Sequence, residues 1–394
     1  MFETLKALPA DPILGLLTAY NGDTNPNKID LGVGVYKTEK GDTPIMESVY
    51  KAQQFRLEHE TTKSYIGPAG DLGFNDKIAR LVLGAEHEAL ERQFTVSTPG
   101  GTGALRVAAE FIKSCNPNAT IWVTTPTWAN HIGLFQAAGL KVAEYPYFDK
   151  ASSSLDFDAM MAALAKVEKG DVVLVHACCH NPSGVDLNQQ QWRAFAELAV
   201  ERGFTPLLDM AYQGFGDGLD EDAFGLRHLA SELPEVLLTS SCSKNFGLYR
   251  ERIGAFTLIA DSAVRRDVCS SVVLSVARSI YSMPPAHGAA IVDIILGSPE
   301  LTALWQDELD AMRTRIADIR QLLQDKLHAK QDQKDFSFIT RQYGMFSFLG
   351  ISPEQVARLK DDYAIYMVGS SRINIAGINH DNVDYLTDAI VKVL

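Results

Sequence analysis

An uninterrupted apolar stretch of about 18 residues, the least that reads as a membrane-spanning helix, occurs nowhere in this chain of 394 residues. No membrane partner is therefore expected. Positive charge is scarce as well: 36 Lys and Arg stand against 49 Asp and Glu, a formal net charge of −13. A surface that grips a phosphodiester backbone needs clustered Lys and Arg, which are absent, so nucleic acid is excluded as a partner. Small anionic substrates are not excluded, because a site needs only a few local arginines. Cysteines are few: Cys115, Cys178, Cys179, Cys242 and Cys269. Their odd number and irregular spacing fit reduced thiols rather than a disulfide framework or a zinc site. Cys178-Cys179-His180 is set aside as a metal cluster, on the expectation that it continues a strand whose successive side chains face opposite ways. The first residues, Met1-Phe2-Glu3-Thr4-Leu5-Lys6, lack a basic segment leading into an apolar one, so no secretory signal and a cytoplasmic location are expected.

What is present is ordinary globular composition, 46% hydrophobic and 22% charged, in a chain long enough for one large domain and a smaller one. Short runs rich in β-branched and other apolar residues, at Ile121–Thr124, Val172–Ala177, Thr205–Met210, Val236–Ser240 and Ala255–Ile259, alternate with helical patterns such as Gln189–Arg202. This predicts an α/β fold with a largely parallel sheet. In such sheets ligands gather at the carboxyl ends of the strands. Apolar positions from Leu301 to Leu327 recur every three or four residues, the pattern of one long amphipathic helix. Strands are expected near Phe336–Ile339, Met345–Leu349 and Arg372–Ile375, with a last helix after Asp381. The expected division is a large domain over 44–310 and a small domain made of 1–43, with an amino-terminal arm, and 311–394.

The sharpest local feature is Ser240-Ser241-Cys242-Ser243-Lys244-Asn245-Phe246-Gly247, followed by Arg252. Most lysines are solvated surface charges, but one that bonds covalently to a carbonyl must lose its proton, which partial burial and a nearby guanidinium favour. Ser241, Ser243 and Arg252 have the chemistry to hold a phosphate dianion. A second anion site is suggested at Thr98-Pro99-Gly100-Gly101-Thr102-Gly103, where bare glycines open a helix and expose backbone N–H groups. Asp209 closes a strand and Tyr212 follows it. A carboxylate there either caps a helix or keeps a heteroaromatic nitrogen protonated. Asn181, in Asn181-Pro182-Ser183-Gly184, is a turn residue or a donor to a ring oxygen. Trp128 is core or a plate for an aromatic ring, and His176 is placed behind the site. Arg372, in a run of small and apolar residues, needs an anion, either a structural carboxylate or a substrate one; Arg278 has the same two readings.

In this order the segments Asp30–Lys37, Thr61–Tyr65, Gly100–Arg106, Cys178–Gly184, Asp209–Asp217, Ser241–Gly254 and Ser371–Gly377 resemble the class I aminotransferases of the aspartate/aromatic type, nearly end to end. The resemblance implies fold type I of the pyridoxal-phosphate enzymes, with Lys244 as covalent anchor and proton shuttle. Asp209 pairs with the ring nitrogen, Asn181 and Tyr212 with the ring oxygen, and Trp128 stacks on the ring. Gly101, Thr102, Ser241, Ser243 and Arg252 hold the phosphate, and Arg372, with Gly34 nearby, grips the substrate α-carboxylate. It further implies a homodimer with shared sites, in which Tyr65 reaches the neighbour's phosphate and Arg278 the neighbour's distal substrate carboxylate. No metal is implied. Substrates would be amino acids and 2-oxo acids: Arg278, Val35, Lys37, Thr43 and Thr102 follow the aspartate pattern, while Met283 and Ser64 depart from it. A thioether packs against aromatic rings, so activity on phenylalanine, tyrosine and tryptophan alongside aspartate and glutamate is expected, in the manner of the bacterial aromatic enzymes. The alternatives are a strict aspartate aminotransferase, a lyase or decarboxylase on the same scaffold, and a non-catalytic ligand sensor that keeps the fold.

Overall fold

A computed structural model describes residues 2–7 and 12–394. They group into two compact units: Pro44–Arg315 with Gln342–Gly344, and Met1–Thr43 with Ile316–Arg341 and Met345–Leu394.

The larger unit is built on a seven-stranded sheet. Its strands are β1 (Gln93–Pro99), β2 (Thr120–Thr125), β3 (Lys141–Pro146), β4 (Val172–His176), β5 (Thr205–Met210), β6 (Val236–Ser241) and β7 (Ile253–Ile259), in the spatial order β1-β7-β6-β5-β4-β2-β3. β4 and β6 are buried along their whole length, as strands covered on both faces must be. Neighbours pair in parallel except β7, which runs antiparallel to both β1 and β6. The start of β7 and the carboxyl ends of the other strands therefore share one pole of the sheet. The helix Gln189–Arg202 opens on a capping box from Asn188 and Gln191 and stops at the left-handed Gly203, which fixes both of its ends chemically.

The five runs read as strands all lie in this sheet. β1 and β3 were not anticipated. β1 is rich in hydroxyls, yet Thr95, Ser97 and Thr98 are buried because Thr95 bonds Thr257 and Ser97 bonds Asn75. β3 is a half-exposed edge, without an apolar run to reveal it.

In the smaller unit, Ile29–Asp30 pairs in parallel with Ile365–Tyr366, and Phe346–Phe348 runs antiparallel to Arg372–Asn374. The expected strand at Phe336–Ile339 is instead a turn leading into a 3-10 helix, Ser337–Arg341. Its apolar side chains are buried as alternation suggested, but the Asp335 carboxylate accepts from the Ser337 N–H at 2.7 Å and from its hydroxyl at 2.8 Å, and this local bond turns the backbone. The buried Arg320 guanidinium then donates to the carbonyls of Ile339 and Phe346 and to Ser347 Oγ. The long helix expected over 301–327 spans Pro299–Lys330, with Trp305, Leu309, Ile316, Ile319, Leu323 and Leu327 buried. The expected last helix is Val383–Val393. No single described helix is long and apolar enough to cross a membrane.

Candidate active site

Strand register assembles an anion cradle at the pole described above. Ile253 pairs with Pro99, and Gly254 with both Thr98 and Ser241, so the end of β1, the end of β6 and the start of β7 converge. β1 hands directly to the helix Gly100–Cys115, whose preceding residue, Pro99, offers no side-chain cap. Its first-turn N–H groups are left to an outside acceptor. Glycine is required here by close approach. A Cβ on Gly100, whose φ is +70°, would run into the Arg252 guanidinium; one on Gly101 would come within 3.3 Å of Ser241 Cβ; and one on Gly254 would meet Ser240 O at 2.5 Å and the Gly100 carbonyl carbon at 2.7 Å. Ser241 Oγ donates to Ser243 Oγ at 3.1 Å, and Thr102 lies in the first helical turn. Arg252 itself sits at a left-handed φ of +53°, a strain that non-glycine residues tolerate mainly at functional positions.

A second cluster lies along β4, β5 and β6, where His176, Asp209 and Thr239 are direct neighbours in register. The Asp209 carboxylate is buried. It accepts from Thr239 Oγ1 at 3.0 Å and pairs with His131 Nε2 at 3.1 Å. Burial alone would raise its pKa, but the His131 bond, the nearby His131 and His176 rings and the Thr239 hydroxyl outweigh it and hold the acid below its usual range. His176 is driven down to about 3, chiefly by burial and then by His131, so it stays a neutral ring. Asp209 is therefore held as a carboxylate beside a neutral His176. Donor atoms of His131, His176 and Asp209 lie within 4.8 Å of one another, so what suits a protonated ring nitrogen suits a cation too. Trp128 meets His131 edge-on at 5.3 Å, while Thr127 Oγ1 bonds the other ring nitrogen of His131 at 2.7 Å.

Lys244 follows β6 and is partly buried. Its ammonium lies 4.7 Å from the centre of the Tyr212 ring. Withdrawal from water, aided by the Arg252 charge and opposed by Asp209, pushes its pKa down to about 8. The turn that carries it is anchored from the long helix. Trp305 stacks on Phe246 with centroids 4.4 Å apart, and its Nε1 donates to Asn245 O at 2.7 Å.

Asn181 is buried just beyond β4. The expectation that Cys178 and Cys179 point to opposite faces fails here, because β4 stops at His176. Cys179 adopts a left-handed φ of +50°, and the two thiols share a hydrogen bond. Tyr65 is 93% exposed. Arg278 is also exposed, its guanidinium held 2.6 Å from Ser282 Oγ.

In the smaller unit, Arg372 is buried. It donates to Gly32 O at 2.7 Å, and its guanidinium lies 4.3 Å from the centre of the Phe346 ring. A Cβ on Gly34 would meet the same ring at 2.7 Å. Asn374 holds the 33–35 backbone by donating to the carbonyls of Val33 and Val35.

Comparison with known proteins matches residues 26–390 to the family Aminotransferase class I and II. The chain belongs to that family. An aspartate aminotransferase of Salmonella typhi is 50% identical over the whole of both chains. An aromatic-amino-acid aminotransferase of Pseudomonas aeruginosa is also 50% identical, covering all of this chain and 98% of its own. Among solved structures, an aromatic-amino-acid aminotransferase from Burkholderia pseudomallei covalently bound to pyridoxal phosphate superposes with a TM-score of 0.98 at 42% identity, covering all of this chain and 99% of that one.

Pyridoxal phosphate is the cofactor of this aminotransferase fold, and the residues fit it. The glycine cradle that a Cβ would fill suits its phosphate, and the Asp209 carboxylate suits its ring nitrogen. Reading the sequence gave no role to His131 or Thr239. The one signal for His131 was its spacing of four residues from Thr127 ahead of an apolar segment, and Thr239 becomes visible only through strand register.

Proposed function

We propose that this aminotransferase uses pyridoxal phosphate to move the amino group of phenylalanine, tyrosine and tryptophan, and of aspartate and glutamate, to 2-oxoglutarate in two half-reactions. The observation that carries the reading is the partly buried Lys244 amine, 4.7 Å from the Tyr212 ring centre at the end of β6 and one strand from the buried Asp209 carboxylate, with burial pushing the amine's pKa down to about 8. When bound, the cofactor supplies an aldehyde for covalent attachment and a cationic ring that takes up the electron pair left by a departing substrate proton. With the cofactor bound, Lys244 Nζ would hold its aldehyde end and, as a free amine, would serve as the base and then the acid that moves the substrate α-proton. Asp209 keeps the ring nitrogen protonated; Asn181 and Tyr212 orient the ring oxygen; Trp128 covers the ring. Gly101, Thr102, Ser241, Ser243 and Arg252 fix the phosphate end. Arg372 binds the α-carboxylate through its planar fork, and Gly34 leaves room beside it.

The working form is a homodimer with shared sites. Support comes from the exposed Tyr65 and Arg278 and from Ile45, Tyr50, Phe55, Leu57 and Ile66, large apolar side chains exposed along one stretch of chain. A cytoplasmic location matches the five free thiols. Met283, partly buried near Arg278, gives an aromatic ring a soft partner. Titrating the purified holoenzyme with aspartate and then phenylalanine, while following the absorbance change from aldehyde-derived to amine form, tests cofactor and reaction. Kinetics then test range. A preference for aspartate beyond about 1000-fold in kcat/KM, roughly 4 kcal/mol, would make the enzyme a strict aspartate aminotransferase.

A further inference from the structure

The larger unit holds a set of soft and hard donors that transamination does not use. Sγ of Cys178, Sγ of Cys179 and a carboxylate oxygen of Asp222 lie within 4.8 Å of one another, all three residues buried. We propose that Cys178, Cys179 and Asp222 form a binding site for a thiol-avid divalent cation such as Zn2+, with its remaining coordination position open to an acidic cavity.

The two sulfurs face the same way for a backbone reason: the strand has ended and Cys179 is left-handed. The loop is held from outside the donor set, since Asp186 accepts from the N–H groups of Cys179 and His180. Asp222 is fixed in turn by the N–H groups of Gly214, Gly216 and Asp217 at 2.8–2.9 Å. Such outer bonds orient ligands before the ion arrives. A tetrahedral ion with bonds of about 2.0–2.3 Å sets its ligands roughly 3.5 Å apart, so the set has to draw in by no more than about 1 Å. Entry is provided by a cavity of about 330 Å³ lined by Cys178 and Asp222 together with Asp186, Asp217, Glu221 and Tyr343. Carboxyl groups around one opening attract cations and repel anionic substrates, the buried Asp186 and Asp222 the least, because burial raises their pKa values. Without an ion both thiols keep their protons. The hydrogen bond from Cys179 lowers the Cys178 pKa, but burial and nearby carboxylates together carry it up to about 12, and burial raises Cys179 further. Each sulfur releases its proton to solvent as its bond to the metal forms, which favours soft, strongly binding ions over Mg2+ or Ca2+.

Cd2+ is the probe, added to the holoenzyme with no other thiol present. One equivalent per chain is expected to bind, with a sulfur-to-metal charge-transfer band in the ultraviolet that survives in the Cys115→Ser/Cys269→Ser variant. Cys178→Ser and Cys179→Ser should each weaken binding at least about tenfold and reduce the band by about half, as removal of one of two sulfur ligands requires. X-ray absorption on the unsubstituted protein, expected to give two sulfurs and lighter donors around the metal, keeps the test decisive if either variant fails to fold. No stoichiometric band, a band lost with Cys115 and Cys269, or a shell without two sulfurs would overturn the proposal.

Discussion

Lys244 concentrates the chemistry at the scale of single residues, and its pKa makes a kinetic prediction. Only the uncharged amine attacks an aldehyde, and the uncharged fraction below the pKa grows about tenfold per pH unit. Capture of pyridoxal phosphate by the cofactor-free enzyme should therefore quicken steadily up to about pH 8 and level off above it. Stopped-flow absorbance measures this; a rate still climbing with the ordinary lysine pKa would show that burial does not act as described. Asp209→Asn keeps the shape and removes the charge proposed to hold the ring nitrogen protonated. Loss of a preorganised charge of this kind lowers kcat on the order of 10²–10³-fold, with cofactor retained, as steady-state kinetics and the bound-cofactor spectrum would show. Lysine, aspartate and asparagine were legible in the sequence because each closes or follows a recognisable strand. His131 and Thr239 act through a partner distant in the chain: strand register brings Thr239 to Asp209, and the packing of the helix Asn130–Ala137 brings His131 there.

At the level of strands and helices, apolar runs revealed the five strands whose side chains are mostly apolar, and periodicity revealed the long helix. Two strands of the large sheet and one turn escaped for separate reasons. Buried hydroxyls satisfied by a neighbouring strand look polar in sequence, an edge strand carries no run, and the Asp335 carboxylate bends a segment that alternation alone would extend. Gly254 shows how closely these elements meet. Its replacement in Gly254→Ala places a methyl against the backbone of Ser240 and Gly100, which cannot rotate away. Overpacking of this sort destabilises by about 1–3 kcal/mol. The expected outcome is a lower melting temperature together with faster loss of cofactor on dialysis, since the displaced backbone is the cradle itself. Unchanged retention would remove Gly254 from that role.

For the whole molecule, the exposed apolar side chains between Ile45 and Ile66 and the strong negative charge make opposite demands: the first favours association, the second keeps free chains apart. Leu57 is 85% exposed on the helix Glu47–His59. Leu57→Asp should yield a folded monomer by sedimentation velocity that is inactive because Tyr65 and Arg278 have no neighbour to serve. An active monomer would sink the shared-site reading. None of these exposed side chains stands out in composition, where a surface leucine and a core leucine look alike.

The reversed direction of β7 has one more result. Because that strand starts where its neighbours finish, the short segment from Ser241 to Arg252 carries the proposed covalent anchor at one point and the proposed phosphate clamp at another. It behaves as a gauge of fixed length, cut to a single coenzyme. Inserting or deleting a residue there would misalign both grips at once, so this loop is where the chain has least freedom to change its size.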